Sequence, residues 1–328
     1  MEQALPEKIR QSANRMKSYR YHFLLFCILA GNTTMRAQLV RFRDEIYPDV
    51  TVSRNHSYKA TIPAGTKKKY YQYDWYEASA DTARKRPFII WLHGGGFKFG
   101  KKTSAGTPVW SRSFARRGYV CAAINYRLSK KHPLKDFGDL AEGCMDAIAD
   151  TREAIAFFKK NCDSLRIDTT RIFLGGNSAG GMIALQSVYS SPAEMAALIH
   201  RGDSNLLPAL HNPDQIAAAI SCWGALFDLR WLQNSRVPFV AVHGSRDRVV
   251  PPDNGKGLLF GGIALNRMAD SIGLPHAFHL FNNVGHELQK HFNPLFAGRP
   301  AKRRWEEAGR FIALFLYDQF FRNGQQPG

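Results

Sequence analysis

From about Tyr70 onward, short apolar runs alternate with longer stretches in which apolar residues recur every three or four positions. The runs at 88–92, 120–125, 172–174, 216–222, 238–242 and 276–281 are apolar nearly throughout. Strands buried on both faces read this way, so these predict the inner strands of a parallel sheet. Residues 70–76 alternate instead and predict an edge strand. Leu140, Cys144, Ala147, Ile148, Thr151, Ile155 and Phe158 keep helical spacing and predict a helix over 137–160. Further helices are expected after Ser178, over 255–271 and over 302–321, the last with Phe311, Leu314 and Phe315 on one side. Strands alternating with helices imply an α/β chain with helices on both faces of a mostly parallel sheet. The chain shows no internal repeat, low-complexity tract or long linker, so residues 38–328 read as a single domain. The longest irregular stretch, 190–215, reads as an insertion able to help cover a site.

The N-terminus follows a different pattern. Lys17 and Arg20 precede the apolar run 23–30, then small and polar residues lead to Ala37. A basic stretch, a short apolar stretch and a small residue make a signal peptide over residues 1–37, with Met16 as an alternative start. The competing reading is a buried or amphipathic helix. Export predicts a periplasmic or secreted protein. No apolar run approaches the roughly 20 residues needed to span a bilayer, so stable membrane insertion is not expected.

Composition adds one question. Apolar residues make up 45% of the 328 positions, which excludes a disordered chain, but 45 Lys and Arg against 27 Asp and Glu give a net charge of +18. Loss of residues 1–37 removes six basic and two acidic groups and leaves +14. Such a charge invites a polyanionic partner. The basic clusters 67–69, 84–86 and 302–304 nevertheless lack interleaved aromatics or a nucleic-acid motif, so they read as solvated surface and no nucleic acid is expected. Cys121, Cys144, Cys162 and Cys222 would remain in a mature chain. Cys144 and Cys162, placed on one helix, would lie about 27 Å apart and could not bond. Neither of the other two suggests a catalytic thiol.

The chemistry gathers in four places. Gly176, Asn177, Ser178, Ala179 and Gly180 form G-x-S-x-G between a strand and a helix, the setting in which a Ser Oγ is pushed above a sheet. His93, Gly94, Gly95, Gly96 and Phe97 follow the strand at 88–92. Their N–H groups, with that of Ala179, could form an oxyanion hole, worth about 3 kcal/mol per donor. Asp247 and His286 follow two later strands, giving the order Ser, acid, His. Two rival patterns fail. The glycines before Lys101 resemble a phosphate loop, but Lys102 stands where Ser or Thr must hold Mg²⁺. His286 and His291 flank Glu287 at a spacing of five rather than four, so their rings would diverge on a helix and no metal is expected.

With these motifs and the Tyr126, Arg127, Leu128 segment, the chain resembles the α/β-hydrolases of the esterase and lipase group that carry His-Gly-Gly-Gly, as in the hormone-sensitive-lipase-like and feruloyl or acetyl esterase families. The resemblance covers roughly residues 70–320. It implies Ser178 as nucleophile, Asp247 as acid, His286 as base, and Gly95, Gly96 and Ala179 as oxyanion donors. It also implies a small-molecule or polysaccharide-linked ester substrate and no cofactor. Relatives carry a substantial helical cap, for which only 38–69, the insertion near 200 and 223–235 are available here, so a minimal cap is expected. Trp223 and Phe97 are expected to line the substrate pocket, with a core position the alternative for Trp223. A prolyl-oligopeptidase-like peptidase and a non-catalytic polyanion-binding hydrolase fold are the rival functions.

Overall fold

Apolar, β-branched and aromatic runs pair into one eight-stranded sheet in a computed structural model that describes residues 38–104, 106–199, 211–254 and 258–322. The strands are β1 (Val50–Ser57), β2 (Gln72–Ala78), β3 (Arg86–Leu92), β4 (Val120–Ile124), β5 (Ile167–Asn177), β6 (Ala218–Cys222), β7 (Phe239–Gly244) and β8 (His276–Phe281). Their order across the sheet is β1-β2-β4-β3-β5-β6-β7-β8. β2 runs antiparallel to both β1 and β4, and all pairs from β4 to β8 are parallel.

This order contains one reversal. From β3 the chain steps outward to β4, then crosses back to β5 on the other side of β3. The loops leaving β3 and β5 therefore diverge and open a crevice at the carboxyl ends of these strands, where open α/β sheets bind ligands.

Two layers of helix cover the sheet. On one face lie α2 (Phe137–Lys160), α4 (Ala179–Tyr189) and α6 (Gly262–Ile272); on the other lie α1 (Thr107–Arg116) and α7 (Arg299–Phe320). Asp136 starts α2 by accepting a hydrogen bond from the Asp139 N–H. Phe158 anchors α2 to the sheet, its ring centroid 4.8 Å from Phe88 and 5.0 Å from Tyr73. Across the sheet, Trp110 stacks on Trp91 at 5.3 Å and donates from Nε1 to the Trp305 carbonyl at 2.8 Å, tying α1 to α7.

Several expectations are corrected. Residues 70–76 do not form an edge: Lys68–Tyr71 is a 3-10 turn, and β2 is flanked by β1 and β4. β1 arises from the alternating Val50, Thr51, Val52 stretch, so the segment reserved for a roof extends the sheet instead. The stretch 190–215 contains a helix, α5 (Pro192–Leu198), closed by a Ser191–Glu194 capping box, while 200–210 lies outside the described residues. α6 starts at Gly262, after Gly261 as an extended N-cap, rather than near 255; residues 255–257 lie outside the described residues. In α7, Leu314 faces solvent and Ile312, Ala313, Phe315 and Leu316 face the core. α2 ends at Lys160, and Cys162 opens a separate turn, α3 (Cys162–Leu165). Arg86 is buried, not solvated, and pairs with Glu77 at 2.7 Å. The signal-peptide reading of 1–37 lies outside the described residues. Among the described residues no helix is long and apolar enough to cross a membrane.

Replacing Phe158 with Ala is expected to lower unfolding stability by about 3–5 kcal/mol, read as a shift in the urea midpoint at unchanged slope. A shift below about 1 kcal/mol would mean that α2 is not anchored through this ring.

Candidate active site

The backbone turns sharply at Ser178, with φ 54° and ψ −119° between β5 and α4. The turn closes only because Gly176 and Gly180 lack side chains. A Cβ on Gly176 would stand 2.6 Å from the Gly180 carbonyl carbon, and one on Gly180 would collide with the Leu92 carbonyl. Ser178 occupies the N-cap of α4 yet makes no capping hydrogen bond. Its Oγ lies instead 2.9 Å from His286 Nε2. The helix thus forgoes a cap worth about 1 kcal/mol and leaves its first N–H groups, with their partial positive charge, beside the hydroxyl.

His286 and Asp247 come from the loops after β8 and β7, which are stitched together. The Arg246 N–H donates to the Val284 carbonyl at 2.9 Å, and the Ser245 N–H to the Phe281 carbonyl at 2.9 Å. α7 holds the same turn from behind: Trp305 Nε1 donates to the Glu287 carbonyl at 2.8 Å and Arg304 Nε to the Leu288 carbonyl at 2.7 Å. His286 Nδ1 then lies 2.7 Å from Asp247 Oδ2. The carboxylate accepts a hydrogen bond from the Nδ1–H, which fixes the proton there, so Nε2 is free to accept from Ser178.

Asp247 has no side-chain exposure, and the N–H groups of Val249 and Val250 donate to its Oδ1 at 2.9 and 3.0 Å. Burial alone would raise its pKa, but His243 and His286 beside it outweigh burial and hold the carboxyl well below the usual carboxylate range. His243 is the residue that sequence reasoning passed over. Its Nδ1 accepts from the Gly262 N–H at 3.3 Å, so Nε2 carries the proton, donating to the Val250 carbonyl at 2.9 Å and lying 3.5 Å from Asp247 Oδ2. A His directly before Gly244, four residues ahead of the acid, was the available signal.

The triple-glycine loop comes to the same place. A Cβ on Gly94 would sit 3.2 Å from Ser178 Cβ and 2.8 Å from Asn177 Nδ2. The N–H groups of Gly95, Gly96 and Ala179 meet no acceptor among the described residues. His93 and Tyr126 brace the loop: their rings stack at 4.3 Å, and the Tyr126 hydroxyl donates to the His93 carbonyl at 2.7 Å. Arg127 fixes the segment carrying Tyr126 by reaching Asp150 on α2 at 2.8 Å. His93 donates from Nδ1 to the Gly94 carbonyl at 2.7 Å, and burial pushes its pKa down to about 4, so the ring is neutral. Asn177, also missed, is buried between Gly94 and Ser178, and neither of its side-chain polar atoms has a partner.

The two expected pocket residues belong elsewhere. Phe97 is fully buried, its positive φ of 57° turning the ring inward beside Tyr126 at 6.5 Å and against Gly143 of α2. Trp223 is fully buried 5.7 Å from Trp110, on the α1–α7 side of the sheet. The side chains beside the reacting groups are instead Leu134, which overlies Gly96, and Phe292, edge-on to His286 at 5.1 Å. A cavity of about 250 Å³ whose lining includes Tyr70, His93, Lys102, Asn125, Tyr126 and Leu128 includes neither Ser178 nor His286. Cys121, Cys144 and Cys222 are buried and unpaired, and burial pushes their thiols up, away from the reactive thiolate; Cys162 is also unpaired.

Residues 74–226 match the BD-FAE family model, a span that holds the glycine loop and Ser178 but ends before Asp247 and His286. Gut esterase 1 of Caenorhabditis elegans is 28% identical over 130 residues, 37% of this chain and 22% of that protein. Esterase LipC of Mycobacterium tuberculosis is 24% identical over 225 residues, 60% of this chain and 53% of that protein. The chain therefore spans about a fifth and about half the length of these two curated relatives. Thermogutta terrifontis esterase 2 phosphorylated by paraoxon superposes with a TM-score of 0.56 at 21% identity, over 84% of this chain and 95% of that one. An alpha/beta hydrolase enzyme from a Medee basin deep-sea metagenome library gives 0.53 at 15% identity, over 81% and 98%. At these identities the structural likeness is one of fold.

A buried His whose pKa is lowered on folding stabilises fully above its ordinary value of about 6.5, and that stability is lost as pH falls toward the folded value. For His93 the window runs from about 6.5 down to about 4. Urea midpoints are expected to fall between pH 7 and about 4.5, with a His93 share on the order of 3 kcal/mol by pH 4. His93→Asn should flatten this dependence, and an unchanged slope would mean that the ring titrates without penalty.

Proposed function

We propose that this chain, which has the α/β-hydrolase fold, is a serine carboxylic ester hydrolase working through an acyl-enzyme on small acyl or aryl esters. The observation that carries this reading is the continuous hydrogen-bonded chain from Ser178 Oγ through His286 to Asp247, set beside a loop whose N–H groups are uncommitted. The esterase names of the curated relatives support it.

In this reading Ser178 Oγ attacks the ester carbonyl as its proton passes to His286 Nε2. Asp247, an anion throughout, stabilises the imidazolium. The negative charge on the carbonyl oxygen is met by the N–H groups of Gly95, Gly96 and Ala179. The tetrahedral intermediate collapses, the alcohol leaves with the proton held by His286, and Ser178 carries the acyl group. Water, deprotonated by His286, attacks in turn; the acid departs and the proton returns to Ser178. None of these steps calls for a metal or organic cofactor.

The finer reading is an acetyl or feruloyl ester of a cell-wall polysaccharide, acted on in the periplasm or outside the cell. It rests on the match to the BD-FAE family model, and on a basic n-region and short apolar stretch over 1–37. Leu134 and Phe292 would flank the acyl or aryl group.

Ser178→Ala is expected to lower kcat for p-nitrophenyl acetate by about 10⁴-fold or more. A fluorophosphonate probe should modify Ser178 and no other residue, by analogy with the phosphorylated Thermogutta esterase. Retained turnover in the variant would refute the assignment, and equal cleavage of a matched anilide would favour a peptidase. After fractionation of cells expressing the full chain, the protein is expected in the periplasm or medium and to begin at Gln38 by N-terminal mass spectrometry; protein confined to the cytoplasm with its N-terminus at Met1 or Met16 would overturn export.

A further inference from the structure

Nine large apolar side chains are exposed among the described residues, and six of them share one edge of the molecule. Phe99 follows β3, Leu134 follows β4, Val249 follows β7, and Phe292, Leu295 and Phe296 follow β8. β3, β4, β7 and β8 all point the same way in the sheet, so these loops leave from its carboxyl edge, the edge at which Ser178 sits. The loops are joined across that edge. The Ser129 N–H donates to the Phe97 carbonyl at 2.7 Å and Lys98 Nζ to the Lys131 carbonyl at 2.6 Å, linking the first two. The Arg246–Val284 hydrogen bond links the last two at 2.9 Å.

Exposed cations flank these tips along the chain. Lys101, Lys130, Lys135, Arg246, Arg248 and Lys290 lie within a few residues of these tips, and none forms an ion pair with a carboxylate among the described residues. Leu295 and Phe296, in the loop after β8, are the two most exposed of these nine side chains, at 94% and 69%. Their presentation is organised: both N–H groups donate to Asn293 Oδ1, at 2.9 and 3.2 Å, and Gln289 Oε1 accepts from the Asn293 N–H at 3.0 Å.

We propose that this edge is a docking surface for an anionic lipid–water interface, the protein inserting Phe99, Leu295 and Phe296 among acyl chains while the Lys and Arg of the same loops meet the headgroups. Apolar tips flanked in the same loops by exposed cations match a layer that is apolar within and negative at its surface. A carbohydrate or nucleic-acid polyanion would satisfy the cations and leave the apolar tips in water. A second copy of this chain would bring like charge against like charge. Docking of this kind is peripheral and places the mouth beside Ser178, Leu134 and Phe292 against the membrane, so that an ester could pass to the site without crossing water. It goes beyond the esterase reading and does not depend on turnover.

The test is co-sedimentation of the full chain, carrying Ser178→Ala so that lipid is not consumed, with phosphatidylcholine vesicles with or without about one-third phosphatidylglycerol. Binding is expected to the anionic vesicles, at least about tenfold weaker to neutral ones, and reversed by high salt. Adding Leu295→Asp and Phe296→Asp should weaken it by at least about tenfold, whereas Leu314→Asp, an exposed apolar residue on α7, should leave it unchanged. With Ser178 restored, the double variant should hydrolyse p-nitrophenyl acetate within about twofold of the unmodified chain and keep its unfolding midpoint, which excludes misfolding. No sedimentation, equal sedimentation with both vesicle types, or an undiminished double variant would each overturn the proposal. So would a dimer that the double variant converts to a monomer. Absence of turnover in the unmodified chain would sink the esterase reading alone, since sedimentation does not read catalysis.

Discussion

The contact between the turn at Ser178 and the end of β3 is the constraint on which the site depends. Gly180 packs against the Leu92 carbonyl so closely that no side chain fits, and Gly176 closes on Gly180 in the same way. That packing forces the chain from strand to helix within one residue and leaves Ser178 with φ 54°. Because Leu92 is also the last residue of β3, one contact sets both the serine and the start of the triple-glycine loop. The Ser178 hydroxyl and the uncommitted N–H groups are therefore positioned by shared backbone rather than by side chains that must find one another. Backbone so placed does not reorganise as charge develops, the condition under which hydrogen-bond donors are most effective.

The electrostatics follow from the same geometry. A carboxylate without side-chain exposure would ordinarily be costly to keep charged. Asp247 stays charged because two backbone N–H groups and two imidazoles converge on it, and these partners outweigh burial. Its contribution to stability is present above the ordinary carboxylate range and is lost only as pH falls below it. His243 enters through a fixed tautomer: with Nδ1 accepting from Gly262, its Nε2 proton has to face the Val250 carbonyl and the carboxylate. Asp247 is thus oriented from both sides, by His286 and by the strand from which its own loop leaves.

Charge and apolar exposure divide along the sheet. The surplus of cations first suggested a polyanion, yet Arg86 lies buried against Glu77, and Arg127 and Lys102 pair with Asp150 and Asp74 at 2.8 Å each. Several unpaired cations instead surround the carboxyl edge, where the exposed Phe and Leu side chains gather. Parallel strands produce such a coincidence readily, since every loop leaving their carboxyl ends emerges on one side and only these loops can reach the crevice.

How much of this was legible beforehand differs by residue. The continuous runs that became β3 to β8, the spacing that became α2, and the Ser-acid-His order are local patterns, and local patterns survive in one dimension. Ser178, Asp247 and His286 could be named because each sits in a short motif at the end of a predicted strand. β1 was hidden because its pairing partner, β2, lies on the far side of a 3-10 turn, and an edge strand shows only weak alternation. Phe97 and Trp223 were misplaced because a residue beside a motif can turn either way, and only a positive φ and the packing of Gly143 and Trp110 decided that both turn inward. His243, Leu134 and Phe292 owe their places beside Asp247, Gly96 and His286 to loops from separate strands meeting in space. The sequence by itself determined that Ser178, Asp247 and His286 stand at strand ends in that order; tertiary structure alone decided what surrounds them, because side-chain neighbours are set by strand order and close packing, which no spacing along the chain records.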